Sequence, residues 1–266
     1  MDIAATTEKL IARKDGAIGW VIFNNPQKRN AMSLEMYQAT AVAMEDYAKD
    51  PAIRVVILRG EGDKAFISGA DISSFKERRG TPEQVRMSDE ISERCNKAIR
   101  ECPKPVIAMI RGYCMGGGAG IAVACDLRFA SDDSRFGVPA AKLSVGYRFG
   151  GIRRLSELVG PQFTAEIFYT GRQFTAEEAL AMGLVNRVLP AAELEKYVLD
   201  TAATIAGNAP LTIAAVKRSL IELRKDPADR DLALCNKMVE GCFASEDYKE
   251  GQKAFMEKRK PVFRGR

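Results

Sequence analysis

The chain has 266 residues, 46% hydrophobic and 28% charged, with 40 basic and 35 acidic side chains giving a formal net charge of +5. That length holds one large domain, or one with a small appendage, and can bury a sizeable core. Histidine is absent, which removes His-dependent triads and most zinc sites together, and the charge is too mild to imply nucleic acid although it suits a polyanionic small molecule.

Ile18 to Phe23 reads as a strand ending in the turn Asn24-Asn25-Pro26. Ser33 caps a helix from Leu34 to about Ala48, stopped by Asp50-Pro51. Val55 to Leu58 is a buried strand, and Ala65 to Asp71 follows it into a bend of small residues. A helix from about Thr81 to Glu101 halts before Pro103 and Pro105. The stretch Ile107 to Gly120 begins as an apolar strand and ends in glycines that open a helix reaching about Ala124. Leu127 to Ala130 and Ser134 to Gly137 are two short strands, and Pro139 to Gly151 is irregular. Beyond Gly151 helical patterns dominate, at about 152–159, 161–169, 175–181, 191–207, 210–224, 228–243 and 246–258. The order implies a β/α core with a helical C-terminal region.

The glycine stretch carries the first functional signal. Glycine lets backbone approach a ligand closely, and a helix start offers free N–H groups to developing negative charge. A dinucleotide fingerprint fails on spacing, because Gly116 and Gly118 are followed by Ile121 at the sixth position. Six cysteines form no CxxC pair, and with no leader visible they read as reduced thiols of a cytoplasmic protein. No apolar stretch is long enough to span a membrane.

Several stretches together resemble the enoyl-CoA hydratase/isomerase (crotonase) superfamily. They are Asn25 to Ala31, Ala65 to Ile72, Lys104 to Ala108, Gly112 to Gly118, Cys125 to Leu127, Phe136-Gly137, Ala179 to Val185 and Phe255 to Pro261. The resemblance implies an α/β fold with a crotonase-type ββα spiral core over 1–200 and a helical trimerisation region over 201–266, assembled as a homotrimer or a dimer of trimers. It implies an acyl-CoA thioester substrate and an enolate held by the backbone N–H groups of Ala70 and Gly117. It places Lys28, Arg29, Ala31, Ser68, Asp71 and Ile72 along coenzyme A, joined by Phe255 and Lys258, often from a neighbouring subunit. No metal and no cofactor beyond coenzyme A as part of the substrate is implied.

The chain departs from the hydratase pattern at both acid–base positions. Where that pattern has glutamates, Gly120 and Ala140 stand, and neither moves a proton. Arg148 stands where dienoyl isomerases have a carboxylate. Tyr147 and the tail from Ser245 resemble the methylmalonyl-CoA decarboxylase branch, so a lyase or decarboxylase step is expected, with Tyr147 orienting the leaving carboxylate and Arg148 binding it or pairing with an acid such as Glu157. That branch has a histidine at Ala70 and a glutamate at Gly120. The alternatives are an enoyl-CoA hydratase or isomerase with its acid and base from elsewhere, and a non-catalytic acyl-CoA- or RNA-binding protein. RNA is disfavoured by the absence of interleaved aromatic and basic residues. Phe75, Met87, Ile91, Tyr147 and Phe149 are the expected acyl-pocket walls.

Overall fold

The structure, a computed structural model, describes residues 7–71 and 80–266. Ile72 and Phe75 lie outside the described residues. The chain starts with β1 (Leu10–Asp15) and β2 (Ile18–Phe23), an antiparallel hairpin. β2 is an apolar run buried on both faces, whereas β1 alternates Leu10 and Ala12 inward with Ile11 and Arg13 outward. The half-polar alternation hides β1 from a search for apolar runs. Helix α1 (Leu34–Lys49) follows, its Ser33 side chain accepting from the Met36 N–H at 3.3 Å.

Three strand pairs then follow: β3 (Val55–Gly60) with β4 (Ala65–Ile67), β5 (Val106–Ile110) with β6 (Tyr113–Met115), and β7 (Leu127–Ser131) with β8 (Arg135–Gly137). The first strand of each pair joins a six-stranded sheet and the second joins a four-stranded one. Helix α2 (Pro82–Glu101), bounded by a Thr81–Gln84 capping box, leads into the second pair, and α3 (Gly117–Ala124) leads out of it. Each turn of this ββα spiral therefore places a strand-to-strand bend at the same end of the molecule.

After β8 comes α4 (Phe149–Thr170), broken at Gly160 (φ 77°) because Pro161 has no N–H to continue the ladder. The two helices expected there are the two halves of α4, and the first begins three residues earlier than its pattern implied. Two strands interrupt the region expected to be helical. β9 (Phe174–Thr175) pairs antiparallel with β8, and β10 (Arg187–Leu189) pairs parallel with β7. Both are too short for a periodic signal. The sheets are ordered β1-β2-β3-β5-β7-β10 and β4-β6-β8-β9. The remaining helices are α5 (Ala176–Ala181), α6 (Leu194–Gly207), α7 (Pro210–Leu223), α8 (Leu232–Ala244) and α9 (Glu246–Met256).

The larger core lies on one face of the six-stranded sheet, with Phe23, Leu58 and Ile110 packed with Phe66, Phe136 and Tyr47. The other face presents Trp20, Ile57, Ile107 and Phe129 to Leu194, Val198 and Ala202 of α6. The boundary expected at residue 200 falls inside α6, which is continuous and seals this second core. Burying each of these large side chains contributes about 1.5–3 kcal/mol. No helix among the described residues is long and apolar enough to cross a membrane.

The C-terminal segment folds back on the body. Glu250 accepts from Arg259 at 2.6 Å and from the Val262 N–H at 2.9 Å, and Arg54 donates to the Phe263 carbonyl at 3.3 Å. The Arg259 guanidinium and that N–H hold the Glu250 carboxyl down at about 2, below its usual 4.5. A carboxyl depressed in the folded state takes up its proton first where the structure is open, so its contribution is complete above about 4.5 and is lost as pH falls toward 2. Amide exchange at 259–263 is therefore expected to match its neutral-pH protection, corrected for intrinsic rate, at pH ~5 and to lose it near pH ~2. Equal protection at both values would refute this.

Candidate active site

Two bends meet at the end of the spiral turns. The first is Ser68–Asp71, after β4. Met32 donates to the Gly69 carbonyl at 2.8 Å and accepts from the Asp71 N–H at 3.0 Å, making a parallel bridge with Ala70. In such a bridge the flanking groups face the partner strand, so the N–H of Ala70 points the other way. The second bend is Met115-Gly116-Gly117, at the start of α3. Gly116 donates to the Gly137 carbonyl at 2.8 Å, and helical bonding begins with Gly120 donating to Gly116 at 3.1 Å. The N–H groups of Gly117, Gly118 and Ala119 thus precede the first helical bond. Gly69 (φ 123°) and Gly116 (φ 52°) adopt backbone that L side chains avoid. They lie close together, since a β-carbon built on Gly116 would stand 3.8 Å from the Gly69 Cα.

Ala70 and Gly117 line one cavity of about 660 Å³, a size suited to a small-molecule group. Tyr37 lies against Gly117, so close that a β-carbon there would collide with its hydroxyl. The Tyr147 hydroxyl is 3.9 Å from the point where a β-carbon of Gly116 would stand, and its ring packs edge-on against Phe168 at 4.9 Å. At Gly120 a β-carbon would meet nothing within 4 Å. Ala140 lines the cavity with its methyl group, almost fully buried.

Charge enters the cavity from α2, where sequence reasoning expected only the apolar walls Met87 and Ile91. Ser88, Asp89, Glu90, Ser92, Glu93 and Asn96 all line it. One signal was present. Ser88 falls in the same buried row as Cys95 and Ile99, seven and eleven residues on, where an apolar residue is expected. Asp89 accepts from Arg148 Nε at 2.7 Å, and Glu93 accepts from Arg154 at 3.1 Å. Arg148 does pair with an acid, but the acid is Asp89 across on α2 and not Glu157, which accepts from Arg153 at 3.0 Å one helical turn away. Of the expected walls, Tyr147 lines the cavity. Met87, Ile91 and Phe149 do not: Met87 and Phe149 are exposed, and Ile91 packs on the core.

The other expected site residues form a second group. Lys28 bonds to Asp71 at 2.9 Å, and Ser68 donates its hydroxyl to the Lys28 carbonyl at 3.2 Å and its N–H to the Arg29 carbonyl at 3.1 Å. The Arg29 guanidinium stacks on Tyr113 at 5.2 Å, and Ala31 is buried beneath, donating to the Lys28 carbonyl at 3.1 Å. Ser68 joins this group to the cavity lining. Phe255 and Lys258, at the end of α9, are not among the cavity-lining residues, and Phe255 is 83% exposed. Asp126 accepts from the Val106 N–H and from Lys217 Nζ, both at 2.7 Å, and ties β5 to α7. Burial pushes the Cys114 thiol well above its usual range, so it is inert as a nucleophile. Among the described residues no cluster of His, Cys, Asp and Glu is arranged to hold a metal ion.

The family model described as enoyl-CoA hydratase/isomerase matches residues 13–266. The chain is 34% identical to the short-chain-enoyl-CoA hydratase of Clostridium acetobutylicum, over 94% of this chain and 95% of that one. It is 34% identical to the crotonyl-CoA hydratase of Syntrophomonas wolfei, over 96% and 98%. Among solved structures, an enoyl-CoA hydratase/carnithine racemase from Magnetospirillum magneticum superposes with a TM-score of 0.91 at 37% identity, covering 98% of this chain and 97% of that one. These names fit the hydratase or isomerase alternative better than the expected decarboxylase step. With the ββα spiral, the paired glycine bends and a match along nearly its whole length, the chain belongs to the enoyl-CoA hydratase/isomerase family of the crotonase superfamily.

Proposed function

We propose that the protein binds an acyl-CoA thioester and stabilises the enolate of its acyl group between the backbone N–H groups of Ala70 and Gly117. The observation that carries this reading is the convergence of those two bends on one cavity. A thioester carbonyl gains negative charge as the enolate forms, and fixed backbone donors stabilise it without reorganising. Lys28 and Arg29 would meet the phosphates of coenzyme A, with Ala31, Ser68, Asp71 and Ile72 shaping the path to the cavity. Phe255 and Lys258 would join them from a neighbouring copy. A trimer, or a dimer of trimers, is consistent with the exposed Leu220, Leu223, Leu232 and Phe243 of α7 and α8. Six free thiols suit the cytoplasm.

The reaction we favour is proton transfer on an enoyl thioester, as hydration or isomerisation, which the relatives' names support. Its acid and base would come from α2 instead of positions 120 and 140. Asp89 is the first candidate, oriented by Arg148, which its ion pair already occupies. Decarboxylation is the second reading, favoured by the Tyr147 hydroxyl beside Gly116.

Loss of the conjugated thioester absorbance of crotonyl-CoA separates the two. Rapid loss supports proton transfer on an enoyl thioester and refutes the decarboxylase reading. An unchanged signal, with release of carbon dioxide from malonyl- or methylmalonyl-CoA that Tyr147→Phe abolishes, supports the second reading. Tight acyl-CoA binding without turnover on any of these substrates would mark a binding protein.

A further inference from the structure

We infer that the hydroxyl of Tyr37 is a third hydrogen-bond donor to the thioester oxygen, beside the backbone N–H groups of Ala70 and Gly117. The inference rests on the acyl-CoA reading above and adds a side chain to the same site.

The start of α1 touches both bends. Met32, just before the helix, forms the bridge that orients Ala70, and Tyr37, in its first turn, reaches Gly117. Tyr37 lines the cavity together with Ala70 and Gly117, and it is 5% exposed. Its hydroxyl stands so near Gly117 that it fills the space a side chain would take there. The nitrogen and the β-carbon of one residue are about 2.5 Å apart. This hydroxyl and the Gly117 N–H therefore address the same corner of the cavity. Gly118 is seated on Ile67 of β4, where a β-carbon would collide with the Ile67 carbonyl and side chain. The bend is thus held against α1 and β4 together.

Three buried residues of α1 carry hydroxyls. Thr40 donates to the Met36 carbonyl and Tyr47 to the Trp20 carbonyl, both at 2.7 Å, so these two are bound into the backbone. The third, on Tyr37, is the one that lies at the cavity. The Tyr37 ring belongs to the larger apolar core, and a phenol there brings its polar end to the cavity at the cost of burying it. A phenol both donates and accepts, and the donated proton is the half that an enolate oxygen uses. As the acyl group gives its proton to a base, the electron pair moves onto the thioester oxygen. The Tyr37 O–H bond stays intact throughout, and its hydrogen bond strengthens as the charge grows.

The probe is acetoacetyl-CoA, whose enolate absorbs in the near ultraviolet and which requires no turnover. The enolised fraction of the bound thioester is titrated against pH with the full chain. The unmodified protein is expected to lower the enolisation midpoint below that of the free thioester. Tyr37→Phe is expected to raise the bound midpoint by about one pH unit, a tenfold fall in the enolisation constant, while affinity for butyryl-CoA stays within about threefold. Tyr37→3-fluorotyrosine, a more acidic phenol of nearly the same shape, is expected to move the midpoint the other way, which a hydroxyl with a merely structural role would not do. A Tyr37→Phe midpoint that rises by less than about half a unit overturns the inference and leaves the acyl-CoA reading intact. A midpoint that fails to fall with the fluorinated phenol does the same. A bound midpoint equal to the free one in the unmodified protein, or failure to bind either thioester, overturns the acyl-CoA reading itself. If Tyr37→Phe loses its thermal transition or its affinity for butyryl-CoA, the fluorinated protein decides.

Discussion

Replacing Ala70 by proline is expected to lower kcat/KM for the acyl-CoA substrate by roughly 10²–10³, equivalent to about 3–4 kcal/mol, the usual effect of removing one fixed oxyanion donor. Proline deletes the N–H while the neighbouring bonds survive. Met32 still donates to the Gly69 carbonyl and still accepts from Asp71, because neither bond uses the N–H of residue 70. The thermal transition should therefore move little. Ala70→Gly keeps the donor and is the control, expected to retain turnover within a few-fold. Steady-state kinetics of both variants, beside their melting curves, make the comparison. Full activity in a folded Ala70→Pro would show that the charge is stabilised elsewhere.

The largest stability effect is expected at Arg128, which is 4% exposed and has no carboxylate against it among the described residues. Its guanidinium donates to the carbonyls of Leu184 at 2.8 Å and Cys125 at 2.6 Å, and more weakly to Ala122 at 3.4 Å. These are the end of α3 and the loop before β10. Burial pulls its pKa below the usual range, with Arg224 nearby adding to the effect, but a guanidinium stays charged. Arg128→Leu would leave the Leu184 and Cys125 carbonyls unpaired in the core, the Ala122 carbonyl keeping the Cys125 N–H, and is expected to destabilise the fold by about 3–5 kcal/mol. For a chain of this size that lowers the melting temperature by roughly 6–20 °C. Arg128→Lys should recover only part of it, because an ammonium lacks the fork that spans two carbonyls. A melting temperature unchanged within a degree or two would refute this assignment.

What was readable in the chain followed the length scale of each signal. Strands with long apolar runs, such as β2, β3 and β5, and helices with clear caps, such as α1 and α2, stand out because burial or a cap repeats the same message over several residues. β1 was lost because its outward face is charged, and β9 and β10 because two or three residues carry no period. The two bends were legible from their glycines and the motifs around them. Their orientation was not, since the direction of the Ala70 N–H depends on a bridge to Met32, far back in the chain. The α2 wall was legible only in part: Met87 and Ile91 were expected in it, and the buried Ser88 was the one local sign of its polar face. Little else in Ser88 to Asn96 tells which face meets α3 and the segment after β8. Arg148 shows the limit most plainly, because an i,i+n search along its own helix cannot find Asp89.

The order of the larger sheet governs how fast the molecule can form. Within it, among the described residues, β1–β2 is the one hairpin, whereas β2–β3, β3–β5, β5–β7 and β7–β10 are parallel pairs joined by crossovers. Each crossover must be closed before its contacts stabilise anything, so such sheets assemble on the ~millisecond-to-second scale. Val188 can find Ala130 only after α4, β9 and α5 have been threaded between them. Until then β7 is an open edge, carrying Phe129 and Ala130 and ready to pair with another chain. Refolding yield should accordingly fall as protein concentration rises, and the α6 cover over that sheet can settle only once its last strand is in place.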